Sequence, residues 1–128
     1  MAKQYISTPN APQAIGTYSQ AVKTANTVYL SGQIPLIPET MELIDADIAE
    51  QTRQVFRNLS AVAEASGGSL ADFAKVHVFL TDLANFPIIN QVMEEFFTQP
   101  YPARAAVGVA ALPKGAEVEV DAIMTFDV

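Results

Sequence analysis

The stretch YPARAAVGVAALPKG (101–115) sets a single arginine, Arg104, among alanines, valines and a glycine. A guanidinium is permanently charged and can grip a carboxylate or phosphate through two parallel N–H donors. Buried without an anion it is costly, so the position demands a partner. An acidic side chain or a ligand would serve equally. Strand alternation over 103–110 groups Arg104 with Ala106, Gly108 and Ala110, and sets Ala103, Ala105, Val107 and Val109 on the other face. The small residues leave room beside the guanidinium for a ligand or a second subunit. In 117–126, Glu117, Glu119 and Asp121 alternate with Val118, Val120, Ala122, Met124 and Phe126. Such an acidic row is ordinarily a solvated face, and it could equally supply the arginine's anion.

Composition narrows the chemistry. The chain has 128 residues, half of them hydrophobic, which fits one domain over 1–128 with a packed core. There is no cysteine, so thiolate chemistry, disulfides and Cys metal sites are excluded. With a single histidine, His77 in KVHVFL, a transition-metal site is not expected; that residue reads as a packed or interface histidine. Seven basic residues against fourteen acidic ones give a net charge of −7, and the basic residues are scattered. That balance counts against a nucleic-acid partner. Neither a signal peptide nor a membrane-spanning run is evident, so a soluble, cytoplasmic protein is expected.

The elements that must position these groups follow from periodicity. Residues 1–16 are rich in turn formers, and TVYLSGQIPL (27–36) reads as a strand ending at Pro35, followed by a loop or short hairpin. Residues 45–68 predict a helix, with Asp47 and Glu50 as a capping box. Its buried stripe is Ile48, Thr52, Val55, Leu59 and Val62, and Gly67-Gly68 stops it. FAKVHVFLTDL (73–83) predicts a strand with Val76, Val78 and Leu80 on one face. Asp82 caps a helix over about 83–98 with Phe86, Ile89, Met93, Phe96 and Phe97 on its apolar side, ended by Pro100 and Pro102. Strands 103–110 and 117–126 complete the chain. The order predicts an α+β or α/β fold with two helices on one face of a mixed sheet. The other sheet face also needs cover, which suggests self-association.

Four stretches, NAPQAIGTYSQAV, LSGQIP, the NxxxxxFF of 90–97 and YPARAAVGVAALPKGAEVEVDAI, together resemble the RidA (YjgF) family of reactive-intermediate deaminases, also labelled L-PSP endoribonucleases. The resemblance runs from about Asn10 to Met124. It implies a chorismate-mutase-like α+β fold, a mixed sheet with two helices on one face, assembled as a homotrimer with ligand sites between subunits. It implies hydrolysis of 2-imino acids and their enamine tautomers, such as 2-aminoacrylate and 2-iminobutanoate, to 2-oxo acids and ammonia, with no cofactor or metal. Arg104 would hold the substrate carboxylate and Glu119 would position or deprotonate water. Ser31, Gly32 and the Ala106 backbone would contact ligand or water, and Tyr18 and Asn90 would complete the pocket.

Each of these residues also has a structural reading. Tyr18 can be a core aromatic, Asn90 a buried amide satisfying loop backbone, and Ser31-Gly32 a bulge. Burial would raise the Glu119 pKa, whereas proximity to Arg104 would lower it. Thr17 replaces the proline of many relatives, Ala106 the cysteine of some, and Gly108 and Ala111 a glutamate and an arginine. The competing functions are a non-catalytic 2-oxo acid-binding module and an endoribonuclease. The charge of −7 and the single histidine weigh against the latter.

Overall fold

The computed structural model describes residues 2–127. Eight elements follow one another: β1 (Gln4–Ile6), β2 (Ala21–Thr24), β3 (Thr27–Gln33), α1 (Ile48–Ala65), β4 (Phe73–Leu80), α2 (Phe86–Phe96), β5 (Ala103–Gly108) and β6 (Val118–Thr125). The strands form one sheet in the order β1-β2-β3-β6-β4-β5. Only β4 and β5 run parallel, joined through α2; the other neighbours are antiparallel.

α1 forms where its apolar period is clearest. Asp47 accepts from the Glu50 amide at 2.9 Å, while the Glu50 carboxylate turns to Arg53 and Arg57. The capping box is therefore only half made. Thr52, Val55, Leu59 and Val62 are fully buried. Gly67 takes the positive φ that ends the helix, and the Gly68 amide closes back on the Ala63 carbonyl. Asp82 caps a short 3-10 turn, Leu83–Asn85, and α2 begins only at Phe86. Against the helices lie Val28, Leu30, Val76, Val78, Leu80, Val118, Val120, Ala122 and Met124, all buried. The opposite sheet face carries His77, Phe79, Glu119, Asp121 and Ile123, each half-buried, and the exposed Tyr29.

Three expectations change. The strand at 27–36 ends at Gln33, and two earlier strands, β1 and β2, extend the sheet beyond it. The β2–β3 hairpin turns on Ala25 and Asn26, with Ala25 in the left-handed region, so it lacks the glycine that would have marked it. Arg104 is not buried. β5 lies at the sheet edge, with Arg104, Ala106 and Gly108 exposed on the helix side. Glu117 leaves the acidic row: it precedes β6 and accepts a 3.4 Å hydrogen bond from Gln51 of α1.

Candidate functional site

β5 pairs in register with β4, so Arg104 lies beside Val76, Ala106 beside Val78 and Gly108 beside Leu80. Those β4 residues face the helices, and the arginine side chain accordingly reaches α2. Its Nη1 donates to Asn90 Oδ1 at 2.9 Å and approaches Met93 Sδ at 3.6 Å. The guanidinium carbon lies 4.7 Å from the centroid of the Phe86 ring. Among the described residues no carboxylate forms an ion pair with Arg104. Asn90 is exposed rather than buried, and its carbonyl serves the arginine instead of loop backbone. A cavity of about 270 Å³ opens here between Asn90, Met93, Glu94, Tyr101, Pro102 and Arg104. Ala106 stands one alternation further along the same face of β5, exposed. Gly108, next on that face, is small because Leu83 covers it: a Cβ there would lie 3.1 Å from Leu83 Cγ.

Glu119 belongs to the other side of the sheet. It pairs with Phe79 and, through it, lines up with Val107. Tyr18, Ser31, Gly32 and Glu119 line one cavity of about 670 Å³, together with apolar Ile15, Ile34 and Met41 and the basic Lys114. Burial, with Asp121 two residues along the same strand, raises the Glu119 pKa above the ordinary 4.5. Arg104 contributes nothing to that shift, which follows from its place on the opposite face. Asp121 in turn meets His77 Nδ1 at 2.6 Å. His77 is therefore paired on the same sheet face as Glu119, without lining the cavity around Tyr18.

Local chain geometry builds this second group. β3 carries one extra residue between Leu30 and Gln33, so Ser31 and Gly32 together face a single residue of β6. The bulge reading and the site reading coincide. Gly32 makes room for Glu119: a Cβ there would push the carboxylate aside. Ser31 donates its hydroxyl proton to the Ser19 carbonyl at 2.6 Å, which leaves only its lone pairs for another group. Tyr18 is no core aromatic; it is 53% exposed and rides on a segment tied down by Gln20. That buried amide accepts from the Thr8 amide at 2.7 Å and donates to the Pro12 carbonyl at 2.8 Å.

The seven residues expected to form one pocket therefore fall into two groups. Arg104, Asn90 and Ala106 lie on the helix side, and Tyr18, Ser31, Gly32 and Glu119 on the other. Phe86 and Met93 were read as core positions; their contact with Arg104 could have been sought in the 86–90–93 spacing, which puts both on the Asn90 side of one helix. Among the described residues no cluster of three His, Asp or Glu side chains is placed to hold a metal ion. Nor is any helix among them long and apolar enough to cross a membrane.

The fold and its two cavities define a class: an α+β protein with two helices on a six-stranded mixed sheet, a guanidinium with no ion pair among the described residues on one face and a half-buried carboxylate on the other. Comparison with known proteins gives the same answer. The family model described as Endoribonuclease L-PSP matches residues 8–126. A 2-iminobutanoate/2-iminopropanoate deaminase of Dermatophagoides farinae is 51% identical, with 98% of each chain aligned. The human protein of the same name is 39% identical over 96% of this chain and 90% of its own. The crystal structure of RidA from the Antarctic bacterium Psychrobacter sp. PAMC 21119 superposes with a TM-score of 0.93 at 54% identity, covering 96% of this chain and 99% of that one. The chain belongs to the RidA/YjgF family, whose family model carries the L-PSP name.

Proposed function

We propose that this protein is a deaminase that hydrolyses 2-imino acids, and the enamines in equilibrium with them, to 2-oxo acids and ammonia. 2-Iminopropanoate (the tautomer of 2-aminoacrylate) and 2-iminobutanoate are the substrates suggested by the names of its relatives. The observation that carries the reading is Arg104: a guanidinium held by Asn90 and Phe86 with no carboxylate among its partners. An oriented, uncompensated fork of N–H donors suits a small carboxylate.

The reaction needs little more than placement. C2 of the imino acid is already electrophilic, so an oriented water suffices. Water adds to C2 while Glu119 accepts its proton. With the imine nitrogen protonated, this addition gives the neutral 2-amino-2-hydroxy acid. Glu119 returns its proton to nitrogen, and the C–N bond breaks to release ammonia as the C2 carbonyl forms. The hydroxyl proton passes to Glu119 and from there to the departing ammonia, which leaves as ammonium. Within one chain, burial and Asp121 raise the Glu119 pKa above 4.5, which makes its carboxylate a better proton acceptor than an ordinary one. The Gly32 gap and the Ala106 backbone give close approach on either side, and Tyr18 and Ser31 offer hydroxyl oxygens to water or ligand.

Arg104 and Glu119 are two strands apart on opposite faces of one sheet, a separation of roughly 10 Å before the faces are considered. A single small substrate cannot bridge them within one chain. We therefore place the complete site between copies of the chain, with Arg104 of one copy approaching Glu119 of the next, in a homotrimer that covers the open sheet face. The test is ammonia release from enzymatically generated 2-aminoacrylate and 2-iminobutanoate. Wild type should accelerate it and Arg104→Ala should not, with melting temperature and assembly unchanged. Equal rates with the two proteins would refute the reading.

A further inference from the structure

α2 sets Phe86, Asn90 and Met93 four and three residues apart, on one side of the helix. All three touch the Arg104 guanidinium: the Phe86 ring through its face, Asn90 Oδ1 at 2.9 Å and Met93 Sδ at 3.6 Å. Asn90 satisfies a donor. Met93 Sδ is a second, weak acceptor for the same Nη1, whereas Phe86 satisfies no donor and its contact has a different consequence. A guanidinium over an aromatic face is attracted by the ring quadrupole, and the planar arginine fork can stack on such a face. Its edges, where the N–H donors point, then remain the only approach for an anion. Phe86 is only half-buried although it packs against the core, and it stands at the first position of α2, where the 3-10 turn capped by Asp82 fixes the helix entry. Rigid backbone on the α2 side thus supports the plane of a long side chain on the exposed edge strand β5.

We infer that Phe86 is a positioning residue. It fixes the Arg104 guanidinium flat and edge-outward before any ligand arrives, with Met93 as its second wall, so that a planar carboxylate meets a preorganised fork. This rests on the carboxylate-clamp role given to Arg104. A long side chain free to rotate would lose that freedom on each binding event; one already held loses little.

The variant Phe86→Leu keeps apolar bulk and removes the aromatic face, while Phe86→Tyr retains the face. Binding of 2-oxobutanoate and turnover of 2-iminobutanoate are measured for both, alongside Arg104→Ala. Phe86→Leu should raise Kd and KM about three- to tenfold. Its kcat should stay within about twofold of wild type, since the orientation serves ground state and transition state alike. Phe86→Tyr should restore wild-type Kd and KM. A Phe86→Leu protein with unchanged Kd and KM overturns the inference, as does a Phe86→Tyr protein as weak as Phe86→Leu. Should Phe86→Leu fail to fold, the order parameter of Arg104 Nε in ligand-free wild type decides: a value near the rigid-backbone figure of about 0.85 supports the inference, and one below about 0.6 overturns it. If Arg104→Ala itself binds 2-oxobutanoate as wild type does, the clamp reading has failed; if only Arg104→Ala loses binding, the role of Phe86 alone has.

Discussion

Gly32 in the β3 bulge and Glu119 on β6 share one space: the carboxylate lies where a Cβ on residue 32 would be. The bulge and the missing side chain together set how far Glu119 folds down over β3. Gly32→Ala should therefore displace the carboxylate without unfolding the sheet. We expect kcat/KM for 2-iminobutanoate to fall about a hundredfold, because a misplacement near 1 Å costs that much in a positioned reaction. The melting temperature should change by less than about 5 °C. Unchanged kinetics for the variant would separate Glu119 from the chemistry.

The raised pKa of Glu119 has a defined sign for stability. The folded chain binds this proton more tightly than the unfolded one. The associated stability is fully present below the ordinary value of 4.5 and is lost as pH rises through the raised folded-state value. Glu119→Gln should thus melt a few degrees at most above wild type at pH 7, and the difference should close below about pH 4.5. In catalysis the acid limb of kcat/KM reports the same proton. Asp121 is one cause of the rise, so Asp121→Asn should move that limb to lower pH, as read from a pH–rate profile. A limb that stays in place would assign the titration to another group.

Arg104→Ala and Glu119→Gln should each be inactive and should complement one another. If each site joins Arg104 of one copy to Glu119 of its neighbour, randomly reassociated mixtures contain intact sites in about a quarter of cases. Ammonia release from the mixture, compared with each parent, measures this. No recovery would place both residues in one chain's site and contradict the two-faced arrangement.

Much of this architecture is legible in the sequence because it is local. The stripe Thr52-Val55-Leu59-Val62 encodes α1, and the alternation Val118-Val120-Ala122-Met124 encodes β6 and which of its residues face the core. β1 and β2 escaped because Gln4–Ile6 is short and the Ala25-Asn26 turn carries no glycine. The site residues could be chosen by type and resemblance, but their faces could not be assigned. Whether Arg104 and Glu119 share a face depends on β5 pairing in parallel with β4 and β4 pairing antiparallel with β6. Those registers join residues far apart in the chain. The same is true of Phe86, whose place on an apolar helix stripe gives no hint that an arginine from β5 will lie on its ring.

If the complete site forms between copies as proposed, the opposed faces also make function a matter of abundance. A lone copy would then carry an arginine half-site on one side and a glutamate half-site on the other, neither of which would work unaided. Specific activity should then fall on dilution while every chain stays folded, and restoring the concentration should restore it. A cell could silence such an enzyme by lowering its dose past the point where copies meet, well before the last molecule is gone.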